Sequence, residues 1–166
     1  MDLPPGFQLL ISYRGISYWG GGYINKLTNK HKSKCIIFLV GGGKSRDMKL
    51  ITQKIRSLKL TNRIKILNYI NEDSYKIINN FDLLISATKD FEAFGYSIVE
   101  ALFVKTPVIC TNVGGVKEFV NKKNALIIQP NNIQSIKKSL IYFFNNKKWI
   151  KMIEYDIKWY KLLKII

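Results

Sequence analysis

Short apolar runs alternate with longer helical patterns along the whole 166-residue chain. The apolar runs at residues 7–12, 35–40, 64–67, 83–86, 108–110 and 125–128 predict strands. They lack polar alternation, as expected of parallel strands covered on both faces. The stretches between them predict helices over about 22–30, 45–58, 73–80, 95–104, 116–120 and 133–145, with a last one from Lys147 toward the end. Ser45 and Asp73 stand where side-chain oxygens can accept from the free N–H groups of a first helical turn. The alternation predicts an α/β chain: one doubly wound parallel sheet with helices on both faces, a single domain over 1–166. Ligands of such sheets bind at the carboxyl ends of the strands.

Composition adds limits. Hydrophobic residues make up 47% and charged residues 23%, which places the chain among folded globular proteins. Cys35 and Cys110 both lie inside apolar runs, so they read as small buried residues of a reducing, cytosol-like compartment rather than as a disulfide. No apolar stretch approaches the roughly 20 residues that span a bilayer, and Met-Asp-Leu-Pro-Pro-Gly does not read as a signal peptide. The net charge of +16 raises nucleic acid as a partner. Lysine supplies nearly all of it, scattered along the chain, which argues for a solvated surface or attraction to anionic substrates and membranes instead.

Three loops at the predicted ligand edge carry the candidate chemistry. Val40-Gly41-Gly42-Gly43-Lys44-Ser45 leads from a strand through three glycines into a helix. Gly41 and Gly42 would let the backbone approach a phosphate or nucleotide; a plain tight turn explains them as well. The spacing is not that of a Walker loop. The segment from Ser86 to Leu102 holds Glu92 just before a helix opened by Gly95, and Glu100 in that helix's second turn. Unpaired N–H groups there suit an anion, whereas the two carboxylates suit hydroxyl donors such as those of a sugar. A cap-and-surface pair of acids is the plainer reading. The third, from Thr106 to Glu118, is a buried strand that breaks into the paired Gly114 and Gly115 and a short helix, and is either another backbone–ligand contact or a simple turn.

From Phe81-Asp82 to Glu118 the sequence runs in order through an Asp at a strand start, Glu92 and Glu100 with seven residues between them, Pro-Val-Ile, and Gly114-Gly115-x-x-Glu118. This series resembles the carboxyl-terminal domain of the retaining glycosyltransferases of family 4, the large group 1 with the two-domain GT-B fold. The resemblance extends from about Phe7 to Trp149. It implies a Rossmann-like sheet forming the C-terminal, donor-binding half of a GT-B fold, and metal-independent transfer of a sugar from a nucleotide-diphosphate sugar, the donor substrate, to a sugar or lipid acceptor. No cofactor and no metal are implied. Glu92 would touch the transferred sugar as the catalytic carboxylate, and Glu100 would bind the ribose hydroxyls. N–H groups of Phe94, Gly95 and Tyr96 would hold the sugar and diphosphate, and the base would lie near Asn68, Tyr69 and Ile70.

Two departures accompany the resemblance. In Gly15-Ile-Ser-Tyr-Trp19-Gly20-Gly21, Gly15 stands where the family has a phosphate-binding arginine and Gly20 where it has a lysine. Each missing charge-assisted hydrogen bond is normally worth about 1.5–3 kcal/mol. Arg14, Lys26 and Lys44 are the candidate substitutes. The amino-terminal acceptor-binding domain has no counterpart here either, so a separate domain or chain is expected to supply it. The lone His31, in a Lys-rich turn, reads as a surface residue. Beyond residue 146, Lys147, Lys151, Lys158 and Lys161 share one helical face and Trp149, Ile153, Ile157 and Tyr160 another. This basic amphipathic helix suits packing on the missing domain or contact with an anionic membrane. Two alternative functions stand beside the transferase: a truncated or inactive fragment with weak nucleotide binding, and a charge-driven nucleic-acid or membrane-surface binder.

Overall fold

A computed structural model describes residues 8–12, 36–40, 45–67 and 73–146. The described residues form β1 (Gln8–Ser12), β2 (Ile36–Val40), α1 (Ser45–Ser57), β3 (Ile64–Leu67), α2 (Ser74–Ile78), β4 (Leu83–Ser86), α3 (Tyr96–Phe103), β5 (Val108–Thr111), a 3₁₀ turn (Gly114–Glu118), β6 (Leu126–Ile128) and α4 (Ile133–Asn145). The strands make one parallel sheet of order β3-β2-β1-β4-β5-β6. That is the doubly wound order, in which the chain reverses its direction of progress between β1 and β4. The carboxyl ends of these two neighbours therefore flank the crevice where such sheets bind ligands.

Alternation along the strands sorts side chains to two cores. Ile37, Leu39, Leu83, Ile85 and Ile109 face one side with Ile55 of α1 and Ile136, Leu140 and Phe143 of α4. Leu84, Val108 and Cys110 face the other, with Ile78 of α2, Ile98, Val99 and Ala101 of α3, and Val116 and Phe119. Helices thus cover both faces of the sheet. β4 and β5 are buried along their whole length, which is why their sequences show no polar alternation.

The helix ends show how the chain stops each turn. Asn132 caps α4 by accepting the Ser135 N–H on Oδ1 at 2.9 Å. α1 and α3 both end in Schellman motifs. Leu60 N–H bonds the Ile55 carbonyl and Lys59 N–H that of Arg56, while Thr106 N–H bonds Ala101 and Lys105 N–H bonds Leu102. Lys59 and Lys105 occupy the left-handed positions, at φ 55° and 61°. Two expectations need correction. Asp73 sits at the N-cap of α2 but makes no capping bond, because its carboxylate turns to Lys76 at 2.7 Å and accepts the Tyr75 hydroxyl at 3.3 Å. The short helix expected over 116–120 is a 3₁₀ turn that starts at Gly114.

The Ser45 side chain, Cys35, the expected helix at 22–30 and the basic segment 147–166 lie outside what the structure describes. Among the described residues no helix is long and apolar enough to cross a membrane.

Replacing Lys105 with glycine should stabilise the fold by about 1 kcal/mol, because a Cβ is disfavoured in the left-handed region. A denaturant midpoint that fails to rise for Lys105→Gly would contradict this. Burial pushes the Cys110 thiol up from 9.0 to about 12. The unfolded chain then loses this proton before the folded one does. Stability associated with the neutral thiol is intact below about pH 9 and is lost as pH rises toward 12. Native Cys110 should accordingly resist alkylation at pH 8–9 and react only on unfolding, as peptide mapping after iodoacetamide would report.

Candidate functional site

The residues singled out at the second loop come together at the carboxyl end of β4. The chain leaves β4 at Ser86 and returns at Gly95, which adopts φ 74°, ψ 52° and opens α3. A side chain is disfavoured there twice over: by the left-handed backbone, and because a Cβ would lie 3.0 Å from Val116 Cγ2, which would have to give way. The first hydrogen bonds of α3 run from Ile98 and Val99 back to the Gly95 carbonyl. The N–H groups of Tyr96 and Ser97 precede them and have no intrahelical acceptor. Gly95 brings no side chain to cap them, so the positive end of the helix is presented at the sheet edge.

Glu92 is buried beside this helix mouth: a Cβ built on Gly95 would lie 3.4 Å from its Cγ. Its carboxylate accepts the Thr88 hydroxyl at 3.3 Å. The Thr88 carbonyl in turn accepts the Thr111 hydroxyl at 2.9 Å, which ties the loop to the end of β5. Phe94 packs against Tyr96 and Phe119 with centroid distances of 5.1 and 5.6 Å, closing the loop over the 3₁₀ turn. Phe91 and Tyr96 remain exposed.

The paired glycines turn out to hold this loop in place. Gly115 N–H donates to the Glu92 carbonyl at 3.0 Å. A Cβ on Gly114 would collide with that carbonyl oxygen, and one on Gly115 with the carbonyl oxygen of Ala93. Both glycines are therefore required by backbone packed on backbone, and Gly114 also by its φ of 57°.

Glu100 lies one turn into α3, half-buried, and accepts the Ser74 hydroxyl at 2.6 Å. Ser74, Thr88 and Thr111 were not apparent as site residues from sequence, since short hydroxyl side chains carry no spacing signal. Asn112 falls within the third loop, but its side chain was not singled out. Its Oδ1, at the end of β5, is enclosed without a hydrogen-bond partner among the described residues. A buried acceptor in that condition normally costs about 1–3 kcal/mol. Glu92, Phe94, Gly95, Tyr96 and Glu100 are thus gathered around one helix. Arg14, Gly15, Gly20, Lys26, His31, Gly41, Gly42, Lys44, Asn68, Tyr69 and Ile70 lie outside the described residues.

A doubly wound sheet with an open helix end and two carboxylates at its switch point defines the class as a Rossmann-like binding fold. The comparisons with known proteins narrow it. The family described as Glycosyl transferases group 1 matches residues 24–159, and the chain belongs to that family. An uncharacterised glycosyltransferase of Methanocaldococcus jannaschii is 27% identical over 112 residues, covering 67% of this chain and 28% of the relative. Among solved structures, HepE of Anabaena in complex with UDP and glucose superposes with a TM-score of 0.75 at 24% identity, over 89% of this chain and 41% of that one. The C-terminal domain of a group 1 glycosyltransferase from Francisella tularensis superposes with a TM-score of 0.75 at 20% identity, over 91% and 82%. The fold is that of one half of the GT-B glycosyltransferases. This chain spans less than half the length of the M. jannaschii relative and of HepE.

Gly115→Ala should displace the Glu92–Ala93 backbone or unseat the 3₁₀ turn, at a cost of about 1–3 kcal/mol in stability. Urea unfolding would measure the loss. An unchanged midpoint would mean that the loop is not seated as described.

Proposed function

We propose that this chain is the donor-binding half of a retaining glycosyltransferase and takes a nucleoside diphosphate sugar at the carboxyl end of β4. The observation that carries the reading is the open N-terminus of α3 with Glu92 buried at its mouth and Glu100 one turn along. Peptide N–H groups there suit the diphosphate, and the carboxylates suit hydroxyls on either side of it. HepE, a structural neighbour, is described with UDP and glucose, which supports this class of ligand.

In this reading the bond between the anomeric carbon and the diphosphate oxygen breaks as an acceptor hydroxyl oxygen bonds to that carbon on the same face, the hydroxyl proton passing to the leaving diphosphate, on which negative charge grows. N–H groups of Tyr96 and Ser97, fixed in advance by the helix, stabilise that charge without reorganising. Glu92 holds a sugar hydroxyl and Glu100 the ribose diol. The reading invokes no metal, since peptide dipoles supply the neutralising charge. A sugar or lipid acceptor is brought by a further domain or chain, as the short span relative to the M. jannaschii relative and HepE suggests.

A thermal-shift panel of UDP-, GDP- and ADP-sugars against the free nucleotides tests the proposal. A ligand at about a hundred times its dissociation constant stabilises by about 2.7 kcal/mol, a rise of about 5–10 °C for a chain of this size. One base should give a selective shift. Glu100→Ala should abolish it, while Glu92→Gln should erase only the advantage of the sugar nucleotide over the free nucleotide. No shift from any ligand in a cooperatively melting protein would refute the donor-site reading. It would also favour a fragment disabled by glycine at positions 15 and 20.

A further inference from the structure

Glu100 is engaged before any nucleotide arrives. The Ser74 hydroxyl, on the first residue of α2, donates to its Oε1 at 2.6 Å across 26 positions of sequence. That is the short range of charge-assisted O–H···O⁻ bonds. Ser74 is also placed by more than this bond. The Thr106 hydroxyl, just beyond α3, donates to the Ile78 carbonyl at the far end of α2, at 3.1 Å and buried. Between them, the Tyr75 and Phe103 rings meet edge-on at 6.0 Å. α2 is thus pinned to α3 at both ends and in the middle, and Asp73 is turned away toward Lys76.

An ionised carboxylate only accepts, with about four lone-pair positions on its two oxygens. Ser74 occupies one position on Oε1, which fixes the rotation of the group. The positions left over match two neighbouring hydroxyl donors. We propose that Ser74 is a positioning residue: it orients Glu100 for a vicinal diol, the ribose of a nucleoside diphosphate, so that ribose recognition depends on the contact between α2 and α3. The inference rests on the donor-site reading of Glu100 given above.

The test compares binding of UDP, GDP and ADP with their 2′,3′-dideoxy counterparts, for the full chain and for Ser74→Ala, Ser74→Thr and Glu100→Ala, each checked for cooperative melting. The parent chain should prefer the ribonucleotide of its base. Ser74→Ala should weaken that ribonucleotide about three- to tenfold, the size of one ordinary net hydrogen bond, because Glu100 remains but is no longer held in the orientation the diol needs, and leave the dideoxy compound unchanged. Ser74→Thr, which keeps the hydroxyl, should restore the preference. A purely structural role for Ser74 would weaken both compounds equally, and that result would overturn the inference. So would an unchanged preference in Ser74→Ala alongside its loss in Glu100→Ala, with the donor-site reading left standing. If the parent chain shows no preference, or Glu100→Ala keeps it, the assignment of Glu100 fails and the inference falls with it.

Discussion

The candidate site depends on a contact in which one stretch of backbone rests directly on another. The carbonyls of Glu92 and Ala93 approach Gly114 and Gly115 so closely that neither position has room for a Cβ. A side chain at either glycine would lift the loop, and Glu92 with it, away from the mouth of α3. The hydrogen bond from Gly115 N–H to Glu92 adds direction to this seat. The Thr111–Thr88 and Thr88–Glu92 bonds repeat the connection through side chains. The end of β5 thereby fixes a carboxylate that belongs to the loop after β4. Strand order explains why this is available, since β4 and β5 are hydrogen-bonded neighbours whose carboxyl ends lie side by side.

α3 then transmits that placement in the other direction. Its first turn carries the open N–H groups, its second turn carries Glu100, and Thr106 just beyond it is bonded to the end of α2. The inner face of α3, formed by Ile98, Val99 and Ala101, is buried against β4 and β5. Rigid packing of this face leaves little freedom for the groups at its mouth. Preorganised dipoles are effective for that reason: they need not turn when charge appears.

Much of the fold was legible in the chain. All six expected strands are present, most within a residue at each end, because bare apolar runs such as Leu83–Ser86 have only one stable place, the middle of a covered parallel sheet. Helices over 45–57, 96–103 and 133–145 also matched, each by its buried stripe. The errors have one local and one tertiary cause. Asp73 has the right chemistry for a cap, but Lys76 three residues on offers its carboxylate a charged partner on the same face. The turn at Gly114 is 3₁₀ because it must carry the paired glycines under the Glu92 loop, a requirement set by a segment twenty residues away. For the same reason the glycines could be read either as a ligand contact or as a plain turn; which neighbour excludes their side chains is a tertiary fact. Glu92 and Glu100 were legible as candidates because carboxylates beside the N-terminus of a helix call for an explanation, whereas Ser74, Thr88 and Thr111 became meaningful only once their distant partners were placed.

Under the donor-site reading, the presence of two carboxylates beside a diphosphate poses an electrostatic problem. Like charges at close range are costly in a partly dry site, so compensation has to be local. The net charge of +16 cannot provide it in full: charges on an exposed surface are screened beyond about 8 Å at physiological salt, and lysines spread along the chain act chiefly on the approach of an anion. Gly15 and Gly20 contribute no side-chain charge. Among the described residues the local share falls on the dipole of α3 and on hydrogen bonds that already occupy the carboxylates, from Thr88 to Glu92 and from Ser74 to Glu100. A hydroxyl donated to each carboxylate spreads its charge and turns its remaining lone pairs toward hydroxyl groups rather than phosphate. The two small side chains that sequence reading passed over are, in this account, what allows acidic residues to serve an anionic ligand.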